Sequence, residues 1–337
     1  MPEVDFSHLF RLSDDTGLLE HARGAVPRRE HGYCLDDVAR GLVLLARELD
    51  PTGDQVRLAG TYLGFVAHAQ VSDGSFRNRL SYDRRWTDDG GMGDWWGRAM
   101  WGLGSVVAGS GPAWQRTEGL DHFSLGCPRR SPWLRSMAYA ALGAAQVLMS
   151  VPDHDGAREL LVDFVSQVGR CRAGGPPWPE DRLSYANARI PDALLASGAA
   201  LGDSDVVRRG TDLLDWLVEA QMVDGHLSPV PSGGSSVATV QRGFDQQPIE
   251  VTAVADAAAR AFALTGQVHW RDTLAVAAGW FEGANDLGTP MHDPATGGGF
   301  DGLTVGGPNL NQGAESTIAW LLTRQLVAVG GHRRPRS

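Results

Sequence analysis

Four carboxylic acids stand where a helix begins: the adjacent pair Asp36–Asp37, Glu250 and Glu315. Each precedes a long apolar stretch. One reading is capping, because carboxylates in a first turn favour the positive end of the helix dipole. The apolar stretches, however, read as buried helices. A carboxyl entering a buried helix needs a partner or has a raised pKa. A raised carboxyl can act as general acid, and a second, ionised one as base or nucleophile. Asp36, Asp37, Glu250 and Glu315 are therefore the expected catalytic set. Arg40 lies one turn after the Asp pair, so an Asp36–Arg40 ion pair is expected. Arg40 also stands where a DDxxD metal box would have its third Asp, which argues against Mg²⁺ there.

The residues around these acids suit a sugar. Aromatic faces stack on the C–H surface of a pyranose, and Arg, Asn, Gln and carboxylates hydrogen-bond to its hydroxyls. Such residues cluster in six loops, 31–37, 88–96, 127–135, 179–189, 244–250 and 306–315. From these and the first turns after them, Tyr33, Arg40, Asp94, Trp95, Trp96, Arg98, Arg135, Tyr185, Arg189, Asn311 and Gln312 are expected to bind substrate. Asp301, in the Gly/Pro-rich stretch 286–311, joins them. Arg40, Arg98, Arg135 and Arg189 all fall in first turns, where a planar guanidinium suits bidentate contacts.

Composition removes other chemistries. The chain has 337 residues with 30 basic and 40 acidic side chains, and all of the basic ones are arginine. Without lysine there is no Walker A loop and no Schiff base, hence no pyridoxal-phosphate chemistry. A net charge of −10 opposes general nucleic-acid binding. The histidines form no HExxH or HxH pair, and Cys34, Cys127 and Cys171 form no CxxC, so neither zinc nor a disulfide framework is expected. No cofactor and no metal are expected. No G-x-S-x-G elbow occurs. The first fifteen residues have neither a basic nor an apolar leader region, and no stretch of 18 apolar residues occurs, so a cytoplasmic protein without membrane contact is expected.

The elements that must carry these groups are helices. Helical spacing of apolar residues predicts helices over 35–48, 54–70, 94–108, 133–150, 156–171, 184–201, 204–222, 249–264, 268–284 and 312–329, with weaker segments at 5–20 and 112–122. Nearly uncharged, Ala-rich helices alternate with helices that have one charged face. The first kind reads as buried and the second as surface. Strict alternation predicts two concentric rings, a toroid of six helical hairpins over residues 1–330, all-α and of one domain, with a flexible tail at 331–337. The N-terminal segment would complete the sixth pair. QVSDG (70–74) and QMVDG (221–225) mark a repeat, in which Asp-Gly makes the turn and Gln ties down carbonyls at a helix end.

HGYCLDDVARGL (31–42), SPWLRSMA (131–138), FDQQPIE (244–250) and NLNQGAEST (309–317) together resemble a family of bacterial helical proteins associated with glycosyltransferases and glycosidases. The resemblance spans about residues 15–330 and implies a carbohydrate context. More distantly the chain is similar to α/α-toroid carbohydrate enzymes, among them endo-α-mannanases, in which a neighbouring Asp pair is catalytic. That likeness points to Asp36 and Asp37, although HGYC before them departs from the mannanase pattern. The toroid sugar 2-epimerases use catalytic histidines on barrel helices, and no such histidine is evident here. The expectation is a glycoside hydrolase acting on a bacterial oligo- or polysaccharide with paired carboxylates. The alternatives are a non-hydrolytic sugar enzyme (isomerase or epimerase, lyase, or a phosphorylase using Arg129, Arg130 and Arg135) and a carbohydrate-binding protein without catalysis.

Overall fold

The computed structural model describes residues 4–169 and 176–332. Twelve α-helices run through them: α1 (Ser7–Leu12), α2 (Leu35–Ala46), α3 (Gly53–Ala69), α4 (Asp94–Ala108), α5 (Ala113–Gly126), α6 (Leu134–Ser150), α7 (Asp155–Val168), α8 (Arg189–Leu201), α9 (Ser204–Gln221), α10 (Pro248–Thr265), α11 (Val268–Phe281) and α12 (Ala314–His332). The even-numbered helices pack each on the next, and α12 returns to α2, closing an inner ring. Each odd-numbered helix from α3 to α11 packs outside the helix before it, and the short α1 covers α12.

Side-chain pattern explains this sorting. In α6 every residue from Arg135 to Ala145 is buried. In α9 burial is confined to Val206, Gly210, Leu213, Leu214, Leu217 and Gln221, one stripe at helical spacing. Small residues bring the inner helices close. A Cβ on Gly97 or Gly104 of α4 would lie 2.1 and 2.2 Å from backbone oxygens of α6, so only glycine permits that approach. The Q-x-x-D-G repeat turns at Gly74 and Gly225, both with φ +86°. Gln70 Nε2 donates to the His122 carbonyl of α5 at 2.9 Å, whereas the Gln221 amide has no partner among the described residues.

Four segments differ from the sequence reading. The first helix ends at Leu12, because the Asp14 carboxylate accepts the Thr16 and Gly17 N–H groups and turns the chain. The weak 112–122 segment is a full outer helix, α5. Helix α8 starts at Arg189 rather than 184, since Asn187 Oδ1 accepts the Ser184 N–H in a turn with Ala186 at φ +45°. The 286–311 stretch holds two small hairpins, His292–Asp293 with Gly298–Gly299 and Gly302–Thr304 with Gly307–Asn309. Cys34 and Cys127 are free and buried. Cys171 and the end of the expected tail lie outside the described residues. No helix among the described residues is long and apolar enough to cross a membrane.

Candidate active site

The first turns of α2, α4 and α12 and the loops before α6, α8 and α10 converge on one cavity of about 940 Å³. Its charged heart is two linked clusters. Asp36 and Asp37 are the second and third residues of α2, and a one-residue step turns their side chains about 100° apart. Asp36 faces α4, where Arg98 holds it at 2.8 Å and also reaches Asp94 at 3.6 Å. Asp37 faces α12, with Arg40 at 2.5 Å and Glu315 on that guanidinium's other nitrogen at 2.8 Å. The ion pair expected between Asp36 and Arg40 is thus made by Asp37 instead.

The start of α2 is tied down by a neighbouring loop. Asn78 Oδ1 accepts the Asp36 N–H, and Asn78 Nδ2 donates to Asp36 Oδ2. Asp88 in turn accepts the backbone N–H groups of Asn78 and Arg79, each at 2.7 Å.

These environments drive two adjacent acids in opposite directions. Burial by itself would raise Asp36, but the Arg98 and Arg40 charges carry it below the usual carboxylate range. Asp37 is pushed up to about 7, chiefly by burial, with Glu315, Glu20 and Asp36 adding repulsion against the pull of Arg40. Burial and the nearby carboxylates also raise the Cys34 thiol. The cavity therefore offers a carboxyl able to give a proton near neutrality beside one that stays ionised.

Of the residues expected from sequence, Asp36, Asp37, Arg40, Asp94, Trp95, Arg98, Tyr185, Asp301 and Glu315 line the cavity. Asp301 also accepts the Gly313 N–H and the Ser316 hydroxyl, which caps α12. The others are not brought to the lining. Trp96 is fully buried, because it follows Trp95 by one helical step and turns into the core. Tyr33 is buried and donates to Asp14. Arg135 is consumed by Glu180, Asn187 and the Tyr185 carbonyl. Arg189 sits lower in the ring on Asp192 and Asp256. Asn311 accepts the Gly24 N–H, and Gln312 is buried on Thr296 and Asp293. Arg129 and Arg130, the anion-pocket candidates, pair with Asp73 and Asp163 and do not line the cavity.

Glu250 also corrects the sequence reading. It is buried outside the lining, and Oε2 accepts the Asn187 backbone N–H and Nδ2 while Oε1 has no partner among the described residues. Burial pushes it up to about 7. A carboxyl raised above its unfolded value of about 4.3 costs the fold more as pH climbs from that value through 7. Glu250→Gln is therefore expected to gain stability relative to the native protein at pH 8 and not at pH 5. Melting curves at the two pH values test this, and an equal difference at both refutes it.

Sequence reasoning missed Glu20, His21, Cys34, Asn78, Arg79 and Trp133 in the lining. Trp133 and Cys34 lie in two of the six loops, 127–135 and 31–37, and Trp133 directly follows a proline; Glu20, His21, Asn78 and Arg79 reach the cavity only through the tertiary path of the 13–34 and 72–93 segments. Among the described residues, Glu20, Cys34 and Asp37 each bring one possible metal-ligand atom within 4.8 Å of the others. Arg79 already engages Glu20, Arg40 engages Asp37, and the thiol is held protonated, so a cation there would have to displace two guanidinium groups and a proton.

This architecture has solved counterparts. A sugar epimerase from a ruminal bacterium superposes with a TM-score of 0.73 at 11% identity, over 98% of this chain and 95% of that one. The cellobiose 2-epimerase of Spirochaeta thermophila gives 0.70 at 12%, over 95% and 93%. A GH76 α-mannanase of Bacteroides thetaiotaomicron gives 0.61 at 9%, over 89% and 87%. The chain is an α/α toroid. At these identities the likeness is one of fold. No family model matches the sequence, and no curated protein matches it. The toroid explains why the acids gather, because its inner helices all present their N-termini to one end of the ring.

Proposed function

We propose that the protein is a glycoside hydrolase of neutral sugars, with Asp37 as proton donor to the leaving oxygen and Asp36 as the ionised partner. The observation that carries this reading is the divergence of the two neighbouring acids on the cavity floor, Asp36 held by Arg98 and Asp37 raised to about 7. Glu315 shares Arg40 with Asp37 and adds to the charge that keeps Asp37 protonated. Trp95, fixed by donation of its indole N–H to the Phe76 carbonyl at 2.7 Å, and Tyr185 supply faces for stacking. The lining carries six carboxyl groups (Glu20, Asp36, Asp37, Asp94, Asp301, Glu315) against three guanidinium groups (Arg40, Arg79, Arg98). That surplus disfavours phosphate and uronate substrates and leaves little support for phosphorolysis or lyase chemistry.

A second reading is sugar isomerisation or epimerisation. Two of the solved counterparts named above are epimerases that match nearly end to end, and a carboxyl near 7 also suits proton abstraction beside a carbonyl. One experiment separates the readings. The protein is incubated in D₂O with neutral di- and trisaccharides, and both reducing-end release and deuterium at C2 are measured. New reducing ends without C2 deuterium are expected. C2 deuterium with no cleavage overturns the hydrolase in favour of the epimerase.

A further inference from the structure

The cavity changes character from floor to rim. At the floor Asp37, Arg40 and Arg98 are almost fully buried, Asp37 paired with Arg40 and Arg98 with Asp36. On the walls Trp95 is half-buried and locked, while Tyr185 is 38% exposed with the Arg135 guanidinium 5.1 Å from its ring centre. Beyond them Trp133, the N-cap of α6, is 65% exposed. Its backbone N–H donates to Ser131, but its indole makes no hydrogen bond or ring contact among the described residues. A lone exposed ring needs no cover by itself, but Trp133 belongs to the lining of the cavity that holds the acids, and there its free indole face is open to a ligand. A cavity of about 940 Å³ is at the top of the range of roughly 300–1,000 Å³ for small-molecule sites, more than one sugar ring needs.

We infer that Trp133 is an outer stacking platform for a second or third sugar unit, so the substrate is an uncharged oligosaccharide whose chain leaves the cavity over α6. This rests on the carbohydrate reading above. Acids and arginines at the floor take the reacting unit, and Trp133 takes the chain without touching the reacting bond. Trp133 is thus a specificity-determining residue, whose loss weakens binding of longer ligands and spares the shortest.

The test is calorimetric titration of the full chain with neutral gluco-, manno- and galacto-oligosaccharides of one to four units, using the Asp37→Asn variant to prevent turnover. With Trp133 present, affinity is expected to rise with length in at least one series. Trp133→Ala should lose about tenfold on the longer members and nothing on the monosaccharide, and Trp133→Tyr should retain most of the gain. Length dependence unchanged by Trp133→Ala overturns the platform and leaves the hydrolase reading standing. Absence of binding by every sugar overturns both. Equal losses on all lengths, monosaccharide included, also overturn the platform, because that pattern marks a general disturbance of the cavity.

Discussion

Asp37→Asn is expected to lower kcat of the proposed hydrolysis by about 10²–10⁴, the range a positioned general acid supplies. The substitution keeps the shape of the side chain and removes the transferable proton. Arg40 retains Glu315 as a partner, so the variant is expected to fold. A carboxyl whose folded pKa is raised to about 7 is disfavoured as an ion in the fold, so removing its charge should not lower the melting temperature at pH 8. The native pH profile carries a second check. Activity needs the protonated acid, so it should fall as pH rises through about 7, and Asp37→Asn should lose that limb. Asp36, held below the usual carboxylate range, sets the opposite limb only in strong acid. A variant within a few-fold of native kcat refutes the assignment of Asp37 as acid.

Asp256→Asn is expected to be the most destabilising conservative change in the toroid, by about 3–5 kcal/mol. Asp256 on α10 pairs with Arg47 at the end of α2 at 2.7 Å and with Arg189 on α8 at 2.6 Å. Asp192 on α8 answers with Arg189 and with Arg260 of α10. The network spans three inner helices below the cavity, and both Arg47 and Arg189 lie over Trp101 of α4, at 5.7 and 4.7 Å. Removing the Asp256 charge leaves two largely buried guanidinium groups short of a counter-ion. The midpoint of thermal unfolding should fall by roughly 5 °C at neutral pH, and a change under about 1 kcal/mol in denaturant refutes the role. The pH sign is opposite to that of Glu250. The two arginines depress Asp256, so its contribution is complete above the unfolded carboxylate value of about 3.9 and is lost as pH falls below it. The gap between native and variant should therefore close in acid.

Sequence patterns alone determine a good deal here. Apolar residues at 3.6 spacing mark the long helices, and the contrast between Ala-rich YAALGAAQVL (139–148) and one-faced DVVRRGTDLLDW (205–216) sorts them into inner and outer rings. That works because burial on all sides and burial on one stripe demand different compositions whatever the partner helix is. The same patterns place carboxylates and arginines in first turns, and a toroid sends those turns to one end. What they do not hold is depth and direction. Asp36 and Asp37 are identical in type and adjacent, yet one meets Arg98 of α4 and the other shares Arg40 with Glu315 of α12, and that difference lowers the pKa of the first while burial raises that of the second. Trp95 reaches the cavity and Trp96 the core because a helical step is about 100°. Glu250, Arg135 and Arg189 head inner helices as predicted, but Asn187, Glu180 and Asp256 claim them before any ligand can. Pairing between helices far apart in sequence depends on which faces meet and at what height. Only tertiary packing decides that, and with it which acids share a cavity.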